Sequence, residues 1–573
     1  MDHRCLFGLI AAATALLAVL GPAAHARCAD HDPLKRAYFG DLHVHTAFSY
    51  DAYRFGTRPE PDGAYASAVA RDLDFAAATD HAEMLGETYI CTIPGTPGYD
   101  EEFCVVYRSG VDHEPADQLC RGDEAPLDPE ACQAASDTVW ARSWAHTEAA
   151  NDPCTFTAFH GYEYTRQDTG VGDDSARHRN VVFRSDIVPS QVVSATDVPN
   201  LLNFWNRLKA DCVSGDGCDV ITIPHGSNLS DGQMFVAEDA KGVTFDTALL
   251  SERATMEPVV EIIQHQGSSE CQPELSPSDE ECGFELIEES YTDLEPGSYV
   301  REALKIGLAV ERETGVNPFR YGLVGGSDTH NATPGATDEA TYEGNQANND
   351  VNDLLSDRNI TFNPGGLVGV WAPENTRDAI FDALVRREVF ATSGTRLRVR
   401  FYAGWTQGTQ VQADQICALG NVIERAEGWP NGVPMGGVLP VNPGTGAPLV
   451  VVLVAHDPAT GPLQEIQLVK GLVDGETGET SEEVVSLAWS DVGAATMCAA
   501  WRDESFDPGA GVFYYTRAFA LPSLRWHASR CQAAGASCGE TPVLPEGFET
   551  CCDVPWTIRE RAWSSPIWYH PAD

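Results

Sequence analysis

The sequence is poor in positive charge. Of its 573 residues, 37 are Lys or Arg and 85 are Asp or Glu, giving a formal net charge of −48. Lysine is scarcest, at positions 35, 209, 241, 305 and 470 alone. The clustered cations that nucleic acid or an anionic membrane surface requires are missing, so neither is expected as a partner. Long apolar runs are lacking too: beyond the first two dozen residues no stretch of about 18 apolar residues occurs, so no membrane span is expected. There is no G-x-S-x-G elbow and no P-loop, which argues against a serine hydrolase of that type and against a phosphate-cradling glycine loop. Paired C-x2-C knuckles are absent, which disfavours a zinc-cysteine site. What is present is a foldable composition, 43% hydrophobic and 21% charged. At this length it implies at least two domains, or one barrel with a large appendage.

Residues 1–26 read as a secretory signal. Arg4 supplies the positive charge, Leu6 to Leu20 form the apolar stretch, and Ala24-His25-Ala26 is an A-x-A cleavage site. The rival reading, a membrane anchor, fits less well because the run is short and ends at Gly21-Pro22. Cysteine usage points to the same secreted or periplasmic compartment: of 17 cysteines, Cys5 leaves with the leader and an even number remains. Cys212/Cys218, Cys271/Cys282 and Cys531/Cys538 are the close pairs expected to bond, although connectivity does not follow from spacing.

From about 36 to 390, short apolar runs alternate with helical patterns. The expected strands are Ala37–His43, Phe75–Thr79, Phe156–Tyr162, Val181–Phe183, Val220–Ile223, Val259–Ile263 and Tyr321–Gly325. Thr376 is the expected N-cap of a helix running to Val389. This alternation predicts a parallel α/β architecture, with a barrel as the leading version. Irregular inserts at 91–132 and 333–360 are too long for passive connections and are expected to shape the mouth of a site. From about 395 onward, short strands separated by Gly/Pro/Asp turns predict a β-sandwich-like appendage. The expected division is therefore a leader at 1–26, a barrel at 27–394 and a β-rich domain at 395–573.

Chemistry-bearing residues gather at the ends of these strands: Asp41-Leu42-His43-Val44-His45-Thr46, Thr79-Asp80-His81, Glu163, His178, Pro224-His225, and Ser327-Asp328-Thr329-His330. His43 and His45, two apart in an extended segment, project to one face and can grip one ion. Asp51 is within reach of a neighbouring ion. Any one of these residues has a bland explanation as a structural histidine or a helix cap. Their recurrence at one rim of a parallel barrel makes them converge, and imidazole with carboxylate suits two or three transition-metal ions. Asp41 and Asp80 are expected to orient imidazoles from behind. Glu83 and Glu270 are left outside the set as proton-shuttle or capping candidates. His160 and His265 are read as structural.

The ordered set resembles the PHP (polymerase and histidinol phosphatase) superfamily over roughly 36–332. More narrowly, Tyr38–Thr46, Gly365–Trp371 and Ala391–Arg396 resemble a group of secreted, functionally uncharacterised PHP-like bacterial proteins. The resemblance implies a distorted (β/α)7 barrel with a trinuclear metal site. It would place His43, His45, Glu163 and Asp328 on a first ion. Glu163 would bridge to a second held by His178 and His225, and Asp51, His81 and His330 would hold a third. Aspartate at 51 departs from the histidine of several relatives. Zinc, manganese and iron are all compatible with such ligands.

The function expected is hydrolysis of a small phosphorylated ester by water activated at the ions, with Glu163 and Asp328 as the central carboxylates. Arg179 and Arg396 are the candidate phosphate partners. A carboxyl-ester or amide hydrolase and a non-catalytic surface-binding protein are the alternatives.

Overall fold

The computed structural model describes residues 27–571 apart from 111–118, 121–124, 168–175, 199, 213–215, 238–244, 348–353, 406–416, 418–428, 430–431 and 445. The expected leader lies outside the described residues, as does part of each long insert.

Among the described residues, ten strands precede residue 393: β1 Arg36–Asp41, β2 Phe75–Ala77, β3 Thr157–Gln167, β4 Ala176–Phe183, β5 Val220–His225, β6 Val259–Gln264, β7 Gly267–Ser268, β8 Gly322–Gly325, β9 Leu367–Ala372 and β10 Val389–Thr392. The β-rich remainder contributes β11 Arg398–Gly404, β12 Gly432–Pro434, β13 Leu449–Ala455, β14 Leu463–Val473, β15 Thr480–Ala494, β16 Thr496–Arg502, β17 Gly511–Ala520, β18 Ser523–Leu524, β19 Thr557–Ile558, β20 Arg561–Ser564 and β21 Ile567–Tyr569. The protein is thus a mixed α/β structure with a large central sheet and a β-rich C-terminal region.

The parallel barrel expected from strand–helix alternation is only partly what forms. β1 pairs β2, β2 pairs β3 and β6 pairs β8 in parallel. In contrast, β4 runs antiparallel to both β3 and β5, and β9 lies antiparallel between β1 and β10. No ladder joins β5 to β6 among the described residues. These strands nonetheless close around one core. Tyr38, Phe75, Phe159, Val182, Ile221, Val259, Val324 and Val370 pack in a single buried cluster with Ile380 and Leu384 of the helix Arg377–Arg386. Each such side chain withdrawn from water contributes about 1.5–3 kcal/mol before the entropy of ordering is subtracted. That helix is capped by Thr376, whose side chain accepts from the Ala379 amide at 3.3 Å. It ends at Arg386, three residues short of the expected end, with Arg387 as its cap in the left-handed region, and β10 starts two residues after that cap.

The sheet does not stop at residue 394. Its order is β15-β14-β17-β20-β10-β9-β1-β2-β3-β4-β5, with β21 on β17, so strand β20 pairs directly with β10. The four-stranded sheet β12-β11-β13-β16 packs over this junction. There Val399, Phe401, Val450 and Val452 meet Phe39, Trp371 and Phe390 of the N-terminal strands in one core. Beside it lies a buried ion cluster. Arg301 and Arg517 share Glu270 and Asp279 at 2.7–3.3 Å, and Tyr515 and Trp563 donate to Glu270 at 2.7 Å each. Glu270 is therefore committed to holding the two regions together.

All sixteen cysteines after Cys5 are in disulfides: 28–154, 91–104, 120–132, 212–218, 271–282, 417–498, 531–551 and 538–552. Two of the expected close pairs form. Cys531 and Cys538 do not bond to each other. Cys531 lies in the helix Trp526–Ala534, and each instead meets one member of the vicinal pair Cys551-Cys552 brought back by the following loop. Among the described residues no helix is long and apolar enough to cross a membrane.

Candidate metal centre

Histidine and carboxylate side chains meet where β1, β2, β5, β6 and β8 end and where β3 pairs with β4. Val44 forms a parallel bridge to Thr329, which fixes the loop after β1 on the loop after β8. Asp328 is thereby delivered to both imidazoles of the His-x-His pair: its Oδ1 lies 3.1 Å from Nε2 of His43 and 3.1 Å from Nε2 of His45. Asp328 has a φ of 51°, the left-handed region, a conformation that costs a non-glycine residue about 1–3 kcal/mol.

Glu163 faces the same space from β3. Its Oε2 lies 3.5 Å from His43 Nε2 and 3.2 Å from His45 Nε2. Its Oε1 lies 2.9 Å from His178, 3.4 Å from His225 and 3.5 Å from His81. The antiparallel register explains the last grouping, because His178 is opposite Thr165 on one side and His225 on the other. Asp51, in the short helix Tyr50–Phe55, presents Oδ2 at 3.1 Å from His81 Nε2 and 3.0 Å from His330 Nε2. The nine expected residues are thus brought together in three sets, around Asp328, Glu163 and Asp51.

These spacings have the form of shared coordination. Two ligand atoms held about 2.0–2.2 Å from one ion stand about 3.0–3.5 Å apart. Nε2 of His43, His45, His178 and His225 and Oε2 of Glu163 are buried without a hydrogen-bond partner. Leaving such atoms unpaired costs about 1–3 kcal/mol each. Orphaned nitrogen and oxygen atoms aimed at common points fit divalent ions. Burial opposes charge on the carboxylates, yet the facing imidazoles hold Glu163, Asp328 and Asp51 well below the usual carboxylate range. Burial, with repulsion from His43, pushes His225 down to about 3, which keeps it in the neutral, metal-binding form.

Behind this layer the partners differ from those expected. Glu261, from the middle of β6, has its carboxylate 3.1 Å from His43 Nδ1. Gly326 makes room for it, since a Cβ there would stand 2.1 Å from Glu261 Oε2. His45 Nδ1 lies 2.8 Å from Ser49 Oγ, which donates to Asp80 at 3.0 Å. Asp80 therefore acts on an imidazole only through a serine. Asp41 reaches none: it accepts from the backbone amides of His43, Ser327 and Gly335. Asp41 thus braces the loops, and Asp80 braces the loop at Thr46 while it holds Ser49. Glu83 accepts from the amides of Thr165 and Ala195 and is structural.

His265, expected to be structural, lies instead with its Nε2 3.2 Å from Asp328 Oδ2. Its position one residue after β6 is the strand-end signal that marked the other ligands. Glu261 had a signal too, a lone acid inside the apolar run Val259-Val260-Glu261-Ile262-Ile263. His160 stays away from the centre, 2.8 Å from Glu148.

The two arginines are not at the site. Alternation along β4 turns Arg179 to the face opposite His178, where it pairs with Glu257 at 2.8 Å. Arg396 donates to the carbonyls of Arg71 and Asp72 at 2.6 and 2.8 Å. Access is from the Asp51 and His178 side: their side chains are 18% and 17% exposed, against 0–1% for His43 and His45. The insert 91–132 braces that side, Tyr107 donating to the Tyr50 carbonyl at 2.6 Å. The insert 333–360 braces it too, the His330 amide donating to the Asn345 carbonyl at 2.8 Å.

The family model described as protein of unknown function (DUF3604) matches residues 32–492 and 490–571. The chain belongs to the DUF3604 family. No curated protein matches it. Among solved structures it is similar to a two-domain protein containing predicted PHP-like metal-dependent phosphoesterase from Bacteroides vulgatus ATCC 8482. That similarity covers 81% of this chain and 90% of that one, at 13% identity and a TM-score of 0.32.

Proposed function

We propose that this DUF3604 protein is a secreted or periplasmic hydrolase that cleaves a small phosphorylated ester at two or three divalent ions, on a barrel of the PHP type. The observation that carries the reading is the arrangement of Glu163, with imidazoles on both oxygens and Oε2 buried without a hydrogen bond. Divalent ions held there would supply Lewis acidity and water activated at neutral pH. His43, His45 and Asp328 would hold the most buried ion, His178 and His225 the second through Glu163, and Asp51, His81 and His330 the third. Glu261 and Ser49 fix the ring orientations from behind. With Arg179 and Arg396 engaged elsewhere, neutralising the phosphate falls to the ions, and the half-open edge at Asp51 and His178 is where a small ester enters.

The test is elemental analysis of the purified mature protein beside a panel of phosphomonoesters, phosphodiesters and carboxyl esters, with and without chelator. Two or three ions per chain and chelator-sensitive phosphate release are expected, with loss of about a hundred- to a thousandfold in turnover for His43→Ala or Asp328→Ala, the scale of removing a group that stabilises transition-state charge. Metal with carboxyl-ester rather than phosphoester cleavage moves the reading to that substrate class. Folded protein free of metal after chelator-free purification overturns it.

A further inference from the structure

Resting on that metal centre, we propose that His265 is a further metal ligand, binding through Nε2 an ion that it shares with Asp328. Nine side chains account for the expected centre, and His265 is none of them. It is fully buried, and neither ring nitrogen has a hydrogen-bond partner.

Its geometry repeats that of the histidines already placed on Asp328. His43 and His45 put Nε2 3.1 Å from Oδ1, and His265 puts Nε2 3.2 Å from Oδ2. In all three cases the nitrogen is close to the oxygen yet not hydrogen-bonded to it. That is the relation of two ligands on one ion, about 3.0–3.5 Å apart. Asp328 thus has imidazole on both oxygens, as Glu163 does. His265, Asp328 and His330 offer ligand atoms that all lie within 4.8 Å of one another.

The backbone is built to hold the ring there. The His265 carbonyl accepts from the Asn363 amide at 3.1 Å, and the Asn363 side chain donates to the Gln264 carbonyl at 3.2 Å. The buried ring of Phe362 stands edge-on at 5.4 Å. A histidine kept only for packing would be expected to satisfy a nitrogen on the protein, as His160 does on Glu148 at 2.8 Å. His265 satisfies neither.

The experiment is diffraction from crystals of the full mature protein loaded with zinc, with anomalous data collected at the zinc edge. The expected result is an ion within about 2.3 Å of His265 Nε2 and bound to Asp328. Ions on His43, His45 and Asp328 but none within about 3 Å of His265 Nε2 would overturn this inference and leave the metal centre standing. Folded crystals without any ion would overturn both. In solution, His265→Ala should lose one zinc equivalent, or bind one at least about tenfold more weakly in chelator competition, with the melting temperature of the metal-free protein unchanged. Unchanged zinc binding with a lowered metal-free melting temperature would identify a packing residue instead. Should the alanine variant not fold, His265→Gln is read in the same competition, and the diffraction result needs no variant.

Discussion

Glu261 is a carboxylate amid the valines and isoleucines of a buried strand, and burial pushes it up to about 7 against the pull of His43. Such a side chain is retained for what it does to the imidazole it faces. Removing the charge while keeping the shape, as Glu261→Gln does, should weaken metal binding about ten- to a hundredfold with little change in fold, because outer carboxylates set ligand orientation and basicity. Chelator competition measures this, and a variant with wild-type affinity would assign Glu261 to packing. The residue scale was the most legible in sequence, for a physical reason. His43, His45, His81, His225, Asp328 and His330 lie at or just beyond strand ends, where sequence position alone says which way they point. Glu261 was hidden because it lies within a strand, where only its oddness among valines and isoleucines marks it. Arg179 misled because charge was read without strand parity: His178 and Arg179 are neighbours in sequence and face opposite sides of β4.

At the scale of elements, the strands were legible wherever apolar runs were bounded by turn residues. Their directions were not. Alternating strands and helices suggest parallel neighbours, but β3 and β4 form a hairpin, and that reversal is what sets His178 opposite His225. Val389, the first residue of β10, was read as the end of a helix because an apolar residue there suits the helix's buried face; left-handed Arg387 ends the helix first. Glu560, immediately before β20, offers a test of how that strand is held. It accepts from Ser393 Oγ, next to β10, and burial pushes its carboxyl up to about 8 from an ordinary 4.5. Between those values the folded chain binds a proton that the unfolded chain has lost, so stability falls as pH rises through the window. Glu560→Gln should therefore raise the melting temperature over wild type at pH 8, with a gain that shrinks towards pH 5. Thermal unfolding at both values checks this, and an equal effect at both would contradict the burial argument.

For the whole molecule, composition indicated an acidic, disulfide-bonded chain, and strand patterning a β-rich region from about 395 onward. Neither indicated that the two regions share a sheet, since strand pairing across about 170 residues leaves no local signal. The continuity of β10 with β20, the joint core under β11 and β13, and the Glu270 ion cluster make a specific prediction. A chain cut to residues 27–394 should not yield soluble, monomeric protein, because Val389–Thr392 would present an unpaired edge and buried Arg301 would lose Tyr515 and Glu482. Size-exclusion chromatography of that fragment beside the full chain decides it, and a monodisperse fragment would mark residue 394 as a true domain boundary. The same junction has a consequence in time. Ser393 and its partner Arg561 are 168 residues apart, so at about 5–20 residues per second a ribosome needs about 8–34 s to supply the strand that covers β10. Throughout that interval the nascent chain carries an open, apolar sheet edge, and its folding must be postponed or chaperoned until synthesis has moved well past the metal ligands.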